Sequence, residues 1–147
     1  MKKMRVAVIG QGRSGKDIHG KYFLSADNQN VEVVYVVDEI EARRNIAKQD
    51  YGCSVFADYR ELFDKNDVDL VVNAAYSQQH YQITKDLLEH GFNVLVEKPF
   101  GRTSYECMDL IRTAKENKVI VAAFHQSLYA PSFKGIKEVL SSDKNNK

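Results

Sequence analysis

The 147-residue sequence lacks several features that would assign its class at once. It has no surplus of either charge: 21 Lys and Arg stand against 20 Asp and Glu, a formal net charge of +1. Binding to a phosphate backbone normally shows as a marked excess of Lys and Arg, so no nucleic-acid partner is expected. No apolar run approaches the ~20 residues that a membrane span requires. The basic start Met1-Lys2-Lys3-Met4-Arg5 is followed only by the short run Val6 to Ile9, which reads as a strand. That run is too short for the core of a signal peptide, so no membrane partner is expected. The two cysteines, Cys53 and Cys107, lie far apart and match no Cys-x-x-Cys or His/Cys metal spacing. They read as reduced thiols of a cytoplasmic protein with no metal site. Repeats and low-complexity tracts are missing, apart from the polar stretch Ser141 to Lys147, which reads as a frayed end or the start of a linker.

What is there fits one globular domain. At 44% hydrophobic and 28% charged residues, the chain has enough apolar material for a core. The expected extent is 1–141, with a tail over 142–147. Arg5 to Ile9 is a β-branched run that breaks at Gly10, and a helix from about Ser14 to Ser25 follows, with Ile18, Tyr22, Phe23 and Leu24 at helical spacing. Gly20 weakens that helix. Val31 to Val37 is nearly continuous in apolar residues, as a central parallel strand should be. A polar helix over Glu41 to Gln49 closes near Tyr51-Gly52, and Val55 to Ala57 is a brief strand. Asp58 to Glu61 matches a capping box. Leu70 to Ala74, Asn93 to Glu97 and Val119 to Ala123 are further strands. Between them lie a helix lined by Ile83, Leu87 and Leu88 and ending at His90-Gly91, and one opened by a second capping box, Thr103 to Glu106, with Met108, Ile111 and Ala114 as its inward-facing set. Ser132 to Leu140 is the last helix. Alternating strands and helices predict an α/β fold: a doubly wound, mostly parallel sheet in three layers, of the Rossmann type.

The chemistry starts at Gly10-Gln11-Gly12-Arg13-Ser14-Gly15. Gly-x-Gly-x-x-Gly alone is a weak signal, but here it joins the first strand to the first helix. Gly10 permits the tight turn, Gly12 lets the backbone approach a pyrophosphate, and Gly15 allows close helix–strand packing. Free N–H groups near Arg13 and Ser14 would hold phosphate oxygens. Arg13 adds a charged contact or is simply solvated. Asp38 follows Gly15 by 23 positions, at the end of the second strand, where a carboxylate hydrogen-bonds a ribose 2′-hydroxyl and repels a 2′-phosphate. NAD is therefore expected over NADP. Glu39 reinforces this, and Arg43 and Arg44 are expected on the solvated face of the next helix. A P-loop hydrolase is excluded, because Lys16 is followed by Asp17 and not by Ser or Thr.

From Asn93 the sequence reads NVLVEKPFGRTSYECMDLIRTAKENKVIVAAFHQ, and the segment before it DLVVNAAYSQQHYQITKDLLEHGF. With the glycine loop and the acidic strand end, this resembles the glucose–fructose oxidoreductase, inositol dehydrogenase and MocA family of NAD(P)-dependent oxidoreductases. Glu97-Lys98-Pro99 is the most specific piece. The resemblance implies that Lys98 is catalytic, polarising a carbonyl or helping to remove a hydroxyl proton beside the nicotinamide. Strand alternation turns Glu97 to the other face, for orientation or ion pairing. A functional strand end also raises the chance of a cis Lys98-Pro99 bond. His80 matches the family histidine that opens the preceding helix, with a cofactor-side contact and helix capping both open. His19 reads as a helix-face residue. Ala75 and Tyr76 stand in the cofactor loop, where Tyr76 could pack on the adenine or the nicotinamide. Ser127 and Leu128 fall where many members carry arginines, which leaves Gln126 or His125 as the polar contact.

The family has a second, α+β domain that completes the substrate pocket and often forms a dimer interface, so a homo-oligomer enters as an expected partner. None of that domain is in this sequence. The chain is thus expected to be an excised or truncated cofactor half, binding the dinucleotide with little turnover. In the complete enzyme, hydride would pass between NAD(P) and a sugar, cyclitol or related polyol. The alternative is a non-catalytic dinucleotide-binding module, regulatory or sensing.

Overall fold

The structure is a computed structural model that describes residues 2–142. Among them six strands form one parallel sheet: β1 Met4–Ile9, β2 Val31–Val37, β3 Ser54–Phe56, β4 Leu70–Asn73, β5 Val94–Val96 and β6 Val121–Ala123. The spatial order is β3-β2-β1-β4-β5-β6. It is the doubly wound order in which the chain reverses direction between β1 and β4, and ligands bind at the carboxyl ends of the strands there.

The two-residue period of the strands builds both cores. Ala7 and Ile9 of β1 point to one face, with Val37, Val71, Val94 and Val96, and pack under Leu87, Leu88 and Leu110. Val6 and Val8 point to the other face, with Val33, Val36 and Val72, against Ala47. The first face is covered by α3 (His80–Glu89) and α4 (Ser104–Glu116), the second by α1 (13–23) and by α2 (Glu41–Tyr51). The last helix, α5, spans Pro131–Ser142. Gly52 and Gly91 end α2 and α3 at φ of 64° and 84°, the left-handed geometry expected at Gly91 and found at Gly52 as well. The capping box at Asp58 forms as expected. The one at Thr103 forms by half: Thr103 accepts from Glu106 N–H, but the Glu106 carboxylate accepts from Arg102 N–H instead. Residues 143–147 of the expected tail lie outside the described residues.

Two helix faces differ from the apolar pattern. On α4 the buried side chains are Glu106, Asp109, Leu110, Thr113 and Ala114, while Met108 is 65% exposed and Ile111 is exposed as well. Asp109 turns inward because α3 supplies its partners: Tyr81 Oη donates at 2.7 Å and Lys85 Nζ at 2.8 Å, with Arg112 adding a third bond. A carboxylate so fully paired can be buried. The first helix, α1, is π-helical over Arg13–Gly20 and closes with one α-turn over Lys21–Phe23. Its buried residues are Gly15, His19 and Gly20, whereas Tyr22 and Leu24 are exposed. The helix lies so close to the sheet that a Cβ on Gly15 would sit 2.9 Å from the Gly10 carbonyl carbon and closer still to its oxygen. Absent side chains, and not apolar ones, make that contact.

Candidate functional site

β1 delivers the chain to Gly10, whose φ of 87° turns it sharply, and Gly10 N–H donates to Val37 O at 2.7 Å. A Cβ there would meet the Ala74 carbonyl carbon at 2.7 Å, so only glycine fits. Gly12 is different. Its φ and ψ, −76° and −160°, suit any residue, and a Cβ would find only Arg43 Nη1, 3.9 Å away. Gly12 therefore faces open space at the mouth of α1, as a backbone must if a phosphate is to lie against it. Above it opens a cavity of about 600 Å³ at the carboxyl ends of β1, β2 and β4. The glycine loop, with Arg13 and Ser14, forms one wall; Asp38 and Ile40 form the second; Ala74, Ala75 and Tyr76 form the third.

Asp38 ends β2 and is buried. Its Oδ2 accepts from Gln11 N–H at 2.7 Å and its Oδ1 from Ile40 N–H at 2.8 Å, so the carboxylate ties the glycine loop to the start of α2. Arg43 and Arg44 are not on a solvated face. Arg44 Nη1 donates to Asp38 O (2.7 Å) and Glu39 O (2.9 Å), stopping the strand end's free carbonyls. Arg43 Nη1 lies 3.6 Å from Asp38 Oδ2 and lines the cavity. Both lean back on the strand end, Arg44 through hydrogen bonds and Arg43 through its charge, with the Arg43 side chain still partly open to solvent. The far wall, Asp58 to Arg60 with Gln79 and Gln82, went unnoticed in the sequence. Its signal was position, since it follows the ends of β3 and β4, next to the reversal point.

The other half of the edge holds Lys98. It is exposed just beyond β5, and the Lys98–Pro99 peptide is cis. Glu97 is buried and points away from solvent: its Oε1 lies 2.9 Å from His19 Nε2, and its Oε2 accepts from Lys98 N–H at 3.2 Å. His19 is thus a buried partner of Glu97 and not a free helix-face residue. Burial pushes its imidazole below the ordinary value, against the opposing pull of Glu97. His80 does not cap α3 through its side chain, and it is buried away from the cavity. Its Nδ1 meets Pro99 O at 2.8 Å and its Nε2 meets Ala75 O at 3.0 Å. Gln126 is exposed in a short turn after β6, outside the cavity, and His125 Nδ1 pairs with Ser127 Oγ at 3.1 Å. The cavity therefore gathers Gly10, Gly12, Arg13, Ser14, Asp38, Ala75 and Tyr76, with Gly15 packed beneath it. Lys98, Glu97, His80 and Gln126 lie outside its lining.

A glycine loop, a buried strand-end carboxylate and Glu97-Lys98-Pro99 on one edge of a 3-2-1-4-5-6 sheet are matched by one family model. It is GFO_IDH_MocA, described as an oxidoreductase family with an NAD-binding Rossmann fold, and it covers residues 4–125. The chain belongs to this family. It is 30% identical to a 2,7-anhydro-N-acetylneuraminate hydratase of Mediterraneibacter gnavus, over 85% of this chain and 32% of that protein. It is 28% identical to an inositol 2-dehydrogenase/D-chiro-inositol 3-dehydrogenase of Lactiplantibacillus plantarum, over 92% of this chain and 39% of that one. Among solved structures, GenD2 from gentamicin A biosynthesis in complex with NAD superposes with a TM-score of 0.85 at 28% identity, covering 95% of this chain and 39% of the other. The chain thus spans about two fifths or less of the length of these relatives. It corresponds to the family's NAD-binding Rossmann domain.

Proposed function

We propose that this domain binds NAD in preference to NADP and forms the cofactor half of an oxidoreductase acting on a sugar, cyclitol or related polyol. The observation that carries the reading is the cavity between the glycine loop and Asp38: a backbone cradle open at Gly12 on one side, a buried carboxylate on the other. The α1 N–H groups near Arg13 and Ser14 would receive the pyrophosphate. Asp38 keeps lone pairs beyond the two it gives to Gln11 and Ile40, and these would accept from a ribose 2′-hydroxyl. Arg43 opposes the preference for NAD only in part, since its charge is shared with Asp38. The bound nicotinamide would supply hydride transfer. Lys98, exposed beyond β5, would donate from its ammonium to the reacting oxygen, stabilising negative charge during reduction, and as the neutral amine would accept the hydroxyl proton during oxidation. Substrates of this class are supported by the inositol dehydrogenase among the relatives. Calorimetric titration of the chain with NADH, NADPH and ADP-ribose tests the reading. NADH and ADP-ribose should bind, and NADPH at least tenfold more weakly than NADH; absence of binding by all three would overturn it.

A further inference from the structure

Two buried histidines are left without a part in cofactor binding or in the chemistry of Lys98. They stand on opposite faces of the sheet. His19 belongs to α1, on the face of Val6 and Val8; His80 opens α3, on the face of Leu87 and Leu88. Each spends its ring on the same three-residue turn. His19 Nε2 donates to Glu97 Oε1 (2.9 Å), and the other oxygen of that carboxylate accepts the Lys98 N–H. His80 Nδ1 contacts Pro99 O (2.8 Å), one residue beyond Lys98. Through its second nitrogen His80 also holds Ala75 O, in the loop that walls the cavity. Both partners of His80 only accept, so a neutral ring donates to one of them and an imidazolium to both. Phe124 closes over His19 at 4.4 Å between ring centres, which keeps water from competing for Glu97.

The geometry points to His19 and His80 as positioning residues: together they hold the Glu97-Lys98-Pro99 turn from both faces and set where the nicotinamide end of the cofactor meets Lys98. The inference rests on the dinucleotide reading above. His19 rides on the helix whose start would hold the pyrophosphate, and His80 reaches from α3 to Ala75 in the loop beside the cavity. The turn is thereby fixed relative to the cofactor and not merely to the sheet.

ADP-ribose, which has every part of NADH except the nicotinamide, separates positioning from general stability. Affinities for NADH and ADP-ribose are compared in the native chain, in His80→Gln, His80→Ala, His19→Gln and His19→Leu, with a thermal melt of each. The native chain should bind NADH more tightly than ADP-ribose. His80→Ala and His19→Leu should lose NADH affinity about fivefold or more while ADP-ribose stays within twofold. His19→Gln, whose amide can still donate to Glu97, should recover most of the loss, and His80→Gln, which cannot reach both carbonyls, only part. Equal losses for both ligands, no loss for either, or absence of a cooperative melt in all four variants would overturn positioning and leave the histidines as core residues. Equal binding of both ligands by the native chain would overturn it too, since the turn would then not touch the nicotinamide. Failure of the native chain to bind either ligand would instead overturn the dinucleotide reading.

Discussion

Gly12→Ala separates the fold from the site more cleanly than any other change in the loop. The backbone at Gly12 has φ −76° and ψ −160°, which alanine adopts without strain, and the new methyl would meet nothing nearer than Arg43 Nη1 at 3.9 Å. With no clash to relieve, the substitution acts on the unfolded chain, and a gain of about 0.4–1 kcal/mol in stability is expected. That corresponds to a melting temperature unchanged or raised by roughly 1–4 °C. The cofactor feels the opposite. A methyl carbon keeps its neighbours at roughly 3.5–4.0 Å, while charge-assisted bonds from the α1 N–H groups need about 2.7–2.9 Å. If two such bonds are stretched out of range, at about 1.5–3 kcal/mol each, ~3–6 kcal/mol of binding is lost. At ~1.4 kcal/mol per tenfold, this is a loss of roughly 10²–10⁴ in NADH affinity. Calorimetric titration with NADH, beside scanning calorimetry of the free protein, reads both quantities. An intact melt with undiminished NADH binding would refute the placement of the pyrophosphate at Gly12.

Gly15→Ala should behave in the reverse way: its Cβ would be driven into the Gly10 carbonyl, so the melt should fall by the equivalent of ~1–3 kcal/mol or more even without cofactor. An unchanged melting temperature would mean that α1 can rise off the sheet freely. Asp38→Asn offers one oxygen where the carboxylate takes two backbone N–H groups, so a stability loss of about 1–3 kcal/mol should accompany an NADH affinity at least tenfold lower and a narrowed gap to NADPH. Titration with both nucleotides checks it, and a preserved gap would count against Asp38 as the discriminator. Asp109, held down at about 2 by the hydrogen bonds of Lys85 and Tyr81, stabilises the fold above its ordinary value of 3.8, and this is lost as pH falls from there toward 2. Melts across that range should lose their steepness in Asp109→Asn. For His19, burial lowers the folded value below 6.5, so the unfolded chain takes up the proton first and stability declines as pH falls below 6.5. His19→Gln should flatten that decline, and an unaltered slope would show that the ring is solvated.

The strands were legible because their signal is local. Val31 to Val37 and Leu70 to Asn73 are apolar, β-branched-rich runs stopped by Asp38 and by the turn after Ala74, and alternation with helices implies the parallel, doubly wound sheet though not its strand order. Helix ends set by glycine were equally plain at Gly52 and Gly91. Helix faces were not. An apolar periodicity assumes that polar residues face water, and Asp109 breaks that assumption through Tyr81 and Lys85, 28 and 24 positions away in sequence. Met108 was displaced outward as a result. On α1 the fully buried positions are two glycines and one histidine, which carry no hydrophobic signal, while Phe23 of the expected apolar set packs against the core from the last turn.

The same division runs through the site. Gly10, Gly12, Gly15 and Asp38 could be named from spacing, because each is required by the geometry of a single turn or strand end. Arg43 and Arg44 could not, since whether an arginine points to solvent or back to a strand end depends on which carbonyls and carboxylates that end leaves free. His19 and His80 were the hardest. Their partners, Glu97 and Pro99, lie 78 and 19 positions on, and the two histidines become related only because β5 places one turn between two helices on opposite faces. A sequence motif records the residue that would meet the substrate, Lys98. What holds Lys98 is written in the reach of His19 from α1 and of His80 from α3 to the turn after β5, so a change in either helix reaches the strand end through one ring.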